Sequence, residues 1–465
     1  MSNITLRLPS LIYDIAKELD KRGANAVLVG GSVRDYFLGI NSKDYDIEVY
    51  AIDSFSELKT LLEPFGKVSL VGRHFGVAKL ACNGVEYDFS LPRKESKCSA
   101  GHSGFDIEIE SSMSFYEASL RRDFTINAIG YSILNAEFLD PHGGIKDIEN
   151  RELKEVRAKS FIEDPLRVYR CMHFSARFQM SISESLKKLC TDMVRNGCLG
   201  ELPKERVFDE FKKLLLLSQK PSIGFEFLRS IGALCYFEEL SALIDVPQDP
   251  KWHPEGDVWI HTMMSIDAMA TLRCSEPSRD LILMLAVLCH DFGKPATTTI
   301  GDGWISAKRH ESVGVPIAQN FLEKLSTQRG ILDQVLPLVR HHLAPTQLYN
   351  QSSKNSAIRR LATKVNIEDL VTVARADSFG RTTSTAKARI YEAGDWLLER
   401  AQNLKVATKP PTNLLRGSDL IELGLAPSPI FTKILQQVYE AQLDGVIKTT
   451  DEALEFIRKR VDLNL

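Results

Sequence analysis

Two aspartates separated by a single residue, Asp44 and Asp46, open a β-like run that continues through Ile47-Glu-Val-Tyr. A strand repeats every two residues, so both carboxylates fall on one face. Like charges that close repel unless a cation lies between them, and Mg2+ prefers such oxygen ligands together with substrate phosphates. Just upstream, the apolar run from Ala26 to Val29 reads as a buried strand. Gly30-Gly31 ends it where a helical stretch containing Arg34 and Asp35 begins. Glycines at a strand-to-helix turn let backbone N–H groups come close to an anion. A phosphate cradle beside a metal-binding carboxylate pair suits nucleotidyl transfer; a solvated Asp-x-Asp strand edge is the structural alternative.

Further along, Asp88 sits between Tyr87 and Phe89 in the run Val85 to Leu91. A third carboxylate can complete a two-metal clamp around an attacking hydroxyl, whereas an edge-strand acid would simply face water. Arg121-Arg122-Asp123 is compatible with an ordinary surface ion pair. It is equally compatible with arginine forks on triphosphate oxygens and an acid accepting from a ribose hydroxyl. In Glu163-Asp164-Pro165-Leu-Arg167-Val-Tyr-Arg170, Asp164 suits an N-cap and Pro165 the first helical position. The same stretch sets Asp164, Arg167 and Arg170 about one turn apart, with acceptors and donors fit for a base edge.

A second chemistry lies between His253 and Asp377. The run Leu281 to Cys289 ends in His290-Asp291, and burying such a pair is costly without a partner. A metal is such a partner, with imidazole and carboxylate as suitable ligands. Of the 10 histidines, six (253, 261, 290, 310, 341, 342) fall in this region, which favours a metal site over isolated structural histidines. His253 precedes the pattern and reads as structural.

The elements that must position these residues are legible in outline. A helix is expected within Leu6–Arg22, and strands over Ile47–Ala51, Val77–Cys82 and Val85–Leu91. Pro92 to Met113, with Arg93, Lys94 and Lys97, reads as a flexible basic loop suited to phosphates. Asp140-Pro-His-Gly-Gly is a turn cluster and a plausible hinge. Lys204 to Leu215 is helical and reads as a packing element. Lys409-Pro-Pro breaks the chain before a helical tail over Ile430 to Leu443. With 465 residues, two to four domains are expected. A net charge of -3 leaves any nucleic-acid partner to local patches. The eight cysteines show no Cys-x-x-Cys pair, which argues for reduced thiols. No apolar run could span a bilayer and no signal pattern opens the chain, so no membrane partner and a cytoplasmic location are expected.

Four motifs occur in order at family-like spacing: Gly30-Gly31-x-Val33-Arg34-Asp35, Asp44-x-Asp46, Arg121-Arg122-Asp123 and Glu163-Asp164-x-x-Arg167. Together they resemble the class II tRNA nucleotidyltransferases, the CCA-adding enzymes of the polymerase-β-like superfamily, over nearly the whole length. His261, His290-Asp291 and Asp377 similarly resemble the HD superfamily of metal-dependent phosphohydrolases. His310 and either His341 or His342 are spaced like the extra ligands of its dinuclear members.

The resemblance implies an α+β protein with four parts. These are a mixed-sheet nucleotidyltransferase head (1–150), a helical neck with a templating motif (151–240), an HD domain (241–400) and a helical tail (401–465) able to touch tRNA. It implies addition of CCA to tRNA 3′ ends from CTP and ATP. Asp44 and Asp46 would hold Mg2+, and Asp88 would be the third acid. Gly31, Arg34, Arg122 and Asp123 would contact nucleotide, while Asp164, Arg167 and Arg170 would read the base. The HD site, formed by His261, His290, Asp291 and Asp377 with His310 and His341, would take a transition metal such as Ni, Mn or Co. Its implied activities are phosphatase, 2′-nucleotidase and 2′,3′-cyclic phosphodiesterase. A homodimer is compatible with this reading. The rivals are a poly(A) polymerase, a CC- or A-adding enzyme, an HD phosphohydrolase with a degenerate head, and a non-enzymatic RNA-binding scaffold.

Overall fold

The computed structural model describes residues 6–41, 44–71, 76–97 and 105–464. It divides into two compact units, Met1–Leu214 with Ile223–Tyr236, and Leu215–Ser222 with Phe237–Leu465.

In the first unit the strands are β1 (Asn25–Val29), β2 (Tyr45–Tyr50), β3 (Lys67–Val71), β4 (Val77–Cys82), β5 (Val85–Ser90), β6 (Arg93–Lys97), β7 (Phe105–Ile109), β8 (Gly130–Ser132) and β9 (Glu137–Leu139). Seven of them form one mixed sheet in the order β3-β4-β5-β2-β1-β8-β9. β2 runs parallel to β5 and antiparallel to β1. Being central, β2 is covered on both faces: Ile47 and Val49 are buried on one side and Glu48 on the other. A helix over Ser10–Asp20 precedes the sheet and buries Ile12, Ile15, Ala16 and Leu19 at helical spacing.

The stretch from Pro92 to Met113 differs from its expected loop. Arg93–Lys97 and Phe105–Ile109 pair as an antiparallel hairpin, with Arg93 opposite Ile109 and Lys97 opposite Phe105. Alternating residues in Phe105-Asp-Ile-Glu-Ile carry a strand pattern that the polar composition masks. The expected loop residues 98–104 lie outside the described residues.

The helix Leu166–Phe178 is buried along most of its length. It begins one residue after Pro165, and Asp164 Oδ1 takes the N–H of Leu166 at 3.3 Å. Phe174 meets Phe124 edge-on, with centroids 5.5 Å apart. On the helix Lys204–Leu217, Phe208, Phe211, Leu214 and Leu215 are buried, in keeping with a packing role. Its Glu210 also holds His173 Nδ1 at 2.6 Å.

In the second unit the helix Pro277–Cys289 is apolar all round beyond its first turn because helices cover it on several sides. Val258–Ala270, Arg329–His341 and Ile367–Phe379 all pack on it. Every residue from Leu281 to Cys289 is buried. The tail has a small core of its own around Leu415, Leu420, Val438, Ile447 and Ile457. No helix among the described residues is long and apolar enough to cross a membrane.

Candidate active sites

Sheet register assembles the first site. Asp46 lies opposite Val29 on β1 and opposite Asp88 on β5, which puts two carboxylates on neighbouring strands at one level. Burial raises the Asp46 pKa, and Asp88 and Asp44 push it the same way, while Arg122 and Lys79 oppose them. Lys79 Nζ stands 3.3 Å from Asp88 Oδ1. Asp88 is therefore a member of the carboxylate group and not an isolated edge acid. Asp46 and Asp88 at one level, with Asp44 acting on Asp46 from two residues away, are hard oxygen donors of the kind Mg2+ prefers.

Gly30 closes the turn after β1 with φ 76°, a conformation that costs other residues strain. A Cβ there would come within 3.3 Å of Asp46 Oδ2 and 3.6 Å of Arg122 Nη1, so the glycine keeps the space beside the carboxylates open.

The arginines expected at the triphosphate are positioned by a residue that motif reading passes over. Glu48 is 0 % exposed and shares the face of Asp46. It accepts from Arg121 Nη2 at 2.6 Å and from the Tyr50 hydroxyl at 2.9 Å, and Arg122 Nη2 lies 3.6 Å away. Although burial opposes its charge, Arg121 and Arg122 hold the Glu48 carboxyl below its ordinary range. A polar cavity of about 440 Å3 beside Arg121 is bordered by Arg93, Arg157 and Lys159.

Asp123 ties the arginine motif to the helix Leu166–Phe178 within the first unit. Its Oδ1 accepts from Phe124 N at 2.8 Å and Asn127 Nδ2 at 3.0 Å. Its Oδ2 accepts from Arg170 Nε at 2.7 Å and Nη2 at 2.6 Å, a fork on one oxygen. Despite burial, Arg170 and these hydrogen bonds hold the Asp123 pKa at about 2. Asn127 Oδ1 in turn accepts from Arg34 Nη1 at 2.6 Å. Arg34 is only 5 % exposed, spends its other donors on Asp35, and lies over Phe174 and Phe178. Arg167 donates to the carbonyls of Ser160 and Arg121, and Arg206 lies 3.5 Å from Asp164.

In the second unit, five helices or their ends deliver the titratable cluster. Asp257 caps Val258–Ala270 through Ile260 N and fixes the turn that bears His261. His290 and Asp291 follow the end of Pro277–Cys289; His310 opens His310–Leu325; His342 follows Arg329–His341; Asp377 lies on Ile367–Phe379. Gly293 allows the close approach, since a Cβ on it would collide with the His310 carbonyl. His261 Nε2 is 3.1 Å from Asp377 Oδ1 and 3.7 Å from Asp291 Oδ2. His290 Nε2 lies 3.1 Å, and His310 Nε2 3.4 Å, from Asp291.

The orientation of the rings is uniform. His290, His310 and His342 place Nδ1 on the backbone carbonyls of Val287, Ala307 and Val339, each at 2.7 Å. His261 places Nδ1 on Glu255 at 2.8 Å. Carbonyl and carboxylate oxygens only accept, so each of those Nδ1 atoms carries a proton and Nε2 is the atom turned inward. His310 and His342 then face each other Nε2 to Nε2 at 3.1 Å. Two lone pairs at that distance repel unless a cation or proton lies between them. Burial, with His310 and His290 nearby, drives the His342 pKa down to about 3. His290 Nε2 and both Asp291 oxygens are buried without a well-aligned hydrogen bond, although Lys294 Nζ approaches Asp291 Oδ2 to 2.6 Å. These orphaned donors fit a borderline metal with nitrogen and oxygen ligands.

Three comparisons with known proteins bear on these sites. Residues 26–154 match the model of a poly A polymerase head domain, 179–244 a probable RNA and SrmB-binding site of polymerase A, and 258–382 an HD domain. The multifunctional CCA protein of Psychromonas ingrahamii is 33 % identical over 396 residues, 83 % of this chain and 91 % of that protein. The chain belongs to this family. The multifunctional CCA protein of Xylella fastidiosa is 34 % identical over 367 residues, 76 % of this chain and 83 % of the relative. The fold is shared with a CCA-adding enzyme solved with CTP (TM-score 0.64, 19 % identity, 97 % of this chain and 95 % of that one). It is also shared with the Thermotoga maritima CCA-adding enzyme complexed with tRNA (TM-score 0.59, 18 % identity, 97 % and 95 %). The expected α+β class, with a sheet head and a helical remainder, agrees with these folds.

Within this family framework the structure adds to and corrects the expected residues. Glu48, Asn127 and Glu255 were absent from the motif reading. Glu48 could have been found from its period with Asp44 and Asp46, but nothing in sequence marks Asn127 or Glu255. Of His341 and His342, both expected as alternatives with His341 named in the ligand set, the structure turns His342 toward the cluster. Adjacent helical residues point about 100° apart, and it is His342 whose Nε2 meets His310 Nε2 at 3.1 Å while Val339 holds its Nδ1. His253, expected to be structural, shares Glu255 with His261 through its Nδ1, and the three form a group of metal-capable atoms.

Proposed function

We propose that this protein adds CCA to tRNA 3′ ends from CTP and ATP, and that its HD domain hydrolyses phosphate esters at such ends. The observation that carries the first activity is the level pairing of Asp46 with Asp88 beside Gly30. Asp44, Asp46 and Asp88 would hold Mg2+, which when bound neutralises charge around the α-phosphate under attack by the terminal ribose hydroxyl. Glu48 fixes the planes of Arg121 and Arg122 so that Arg122 can meet triphosphate oxygens without rearranging. Gly31 and Arg34 shape the turn that accepts the nucleotide, Arg34 by bracing Asn127. Asp123 sets the neck helix through its fork on Arg170, and it would take a ribose hydroxyl by exchanging one of its present donors. Asp164, Arg167 and Arg170 then present donors and acceptors to the incoming base.

The division into head (1–150), neck (151–240), HD domain (241–400) and tail (401–465), with the tail on tRNA, belongs to the same proposal, as does a cytoplasmic location. The second activity is favoured by the four imidazoles with Nε2 turned inward. His261, His290, His310, His342, Asp291 and Asp377 would hold a transition metal such as Ni, Mn or Co, whose role is to acidify water and polarise the ester.

The test offers tRNA lacking CCA, tRNA ending in CC, and a random RNA, each with CTP and ATP, and resolves products by length. Growth by three nucleotides on the first and one on the second is expected. A long adenosine ladder, or no growth on tRNA lacking CCA, would overturn the reading. The Asp44→Ala/Asp46→Ala double variant should lose addition and keep ester hydrolysis.

A further inference from the structure

The mouth of the HD cavity carries an aromatic side chain that neither the metal cluster nor the hydrophobic core uses. The cavity holds about 410 Å3, and its wall includes Asp291, His310, His342, Asp377 and also Trp252. That volume far exceeds a phosphate group and falls in the range of sites for whole small-molecule ligands. Trp252 is 56 % exposed, whereas Trp259 in the following helix is fully buried. What sets Trp252 apart from other exposed side chains is its place in the wall of the cavity, where an indole offers an apolar face and a polar N–H.

The backbone that carries it is held in a tight turn. The Asp249 carboxylate accepts the N–H of Lys251 at 2.9 Å, and the Asp249 carbonyl accepts those of Trp252 at 3.0 Å and His253 at 2.9 Å. His253 continues to Glu255 and Glu255 to His261, so this turn is tied to the metal-ligand set. The Lys251 ammonium stands 4.9 Å from the indole centroid and is not part of the cavity wall.

An exposed aromatic plane beside a phosphate-sized polar centre is what a nucleotide needs: a π-face for the base and cationic or metal contacts for the phosphate. We propose that Trp252 is the nucleobase platform of the HD site. The site thereby takes phosphate esters that carry a nucleobase in preference to phosphate esters without one. Every base has a π-face, so the platform tolerates any terminal nucleotide and favours purines through their larger overlap. This inference rests on the phosphohydrolase reading above.

The test uses the full-length protein with Mn2+, Co2+ or Ni2+ added, as wild type, Trp252→Ala and Trp252→Phe. Hydrolysis of adenosine 2′,3′-cyclic phosphate is compared with that of glycerol 2-phosphate, and binding of 2′-AMP with that of inorganic phosphate by calorimetry. Trp252→Ala should raise KM for the cyclic nucleotide and weaken 2′-AMP by about tenfold, the scale of one base–aromatic stack. It should leave kcat, glycerol 2-phosphate turnover and phosphate binding unchanged, and Trp252→Phe should recover most of the loss. Equal losses on both substrates, or a nucleotide KM within about twofold of wild type, would overturn the platform. If wild type hydrolyses neither ester, the phosphohydrolase reading alone falls, and the binding arm decides. Tighter binding of 2′-AMP than of phosphate, lost in Trp252→Ala, supports the platform; equal affinities refute it.

Discussion

Replacing Asp123 by Asn removes one charge at nearly constant volume and exposes the worth of its link to the helix Leu166–Phe178. The Asp123 carboxyl has a pKa of about 2 against an ordinary 3.8, a depression of roughly 1.8 units. At 1.36 kcal/mol per unit this is about 2.4 kcal/mol. Breaking a fully buried ion pair costs about 3–5 kcal/mol, but the Arg170 side chain is 31 % exposed and can be partly hydrated. A loss of about 2 kcal/mol at pH 7 is therefore expected. Because the folded pKa is depressed, the stabilisation is complete above pH 3.8 and disappears as pH falls through about 2. The gap between wild type and variant should close over that window. All four tryptophans (252, 259, 304 and 396) lie in the second unit, so their fluorescence is the wrong reporter. Hydrogen exchange of the Leu166–Phe178 amides in urea follows the right unit, because it reads the helix that Arg170 sits on. A gap below about 0.5 kcal/mol at pH 7, or one that persists unchanged to pH 2, would refute the assignment of this carboxylate as the link.

Three further outcomes follow from other contacts. Glu48→Gln should cost about 2 kcal/mol in the first unit, below the value for a fully buried pair because both arginines keep some exposure, and should raise KM for CTP and ATP; unchanged kinetics would show that Arg121 and Arg122 need no such anchor. Gly30→Ala places a Cβ at φ 76° and 3.3 Å from Asp46 Oδ2, so a loss of about 1–2 kcal/mol with a sharp fall in nucleotide addition is expected, read by thermal melts and product gels. Elemental analysis after metal loading should show His342→Ala losing bound metal and His341→Ala keeping it, and the reverse pattern would undo the ligand assignment.

Much of this protein follows from local chemistry along the chain. The two-residue period that aligns Asp44 with Asp46, the Gly30-Gly31 turn, and the apolar run ending in His290-Asp291 are short-range features, and strand and helix periodicity convert them directly into shared faces. The family motifs lie in such stretches, which is why the activity was legible before the fold. What remained hidden depends on which segments become neighbours. Arg34 and Asn127 are 93 residues apart, yet share a hydrogen bond that only the packed head creates. Asp88 became a partner of Asp46 because β5 runs parallel to β2 in one particular register, and no local pattern encodes that register. The choice of His342 over His341 rests on the rotational phase of one helix against its neighbours. Glu255 and Trp252 acquired meaning from a turn fastened to His261. Periodicity says which side of its own element a residue takes; tertiary packing alone says what waits on that side.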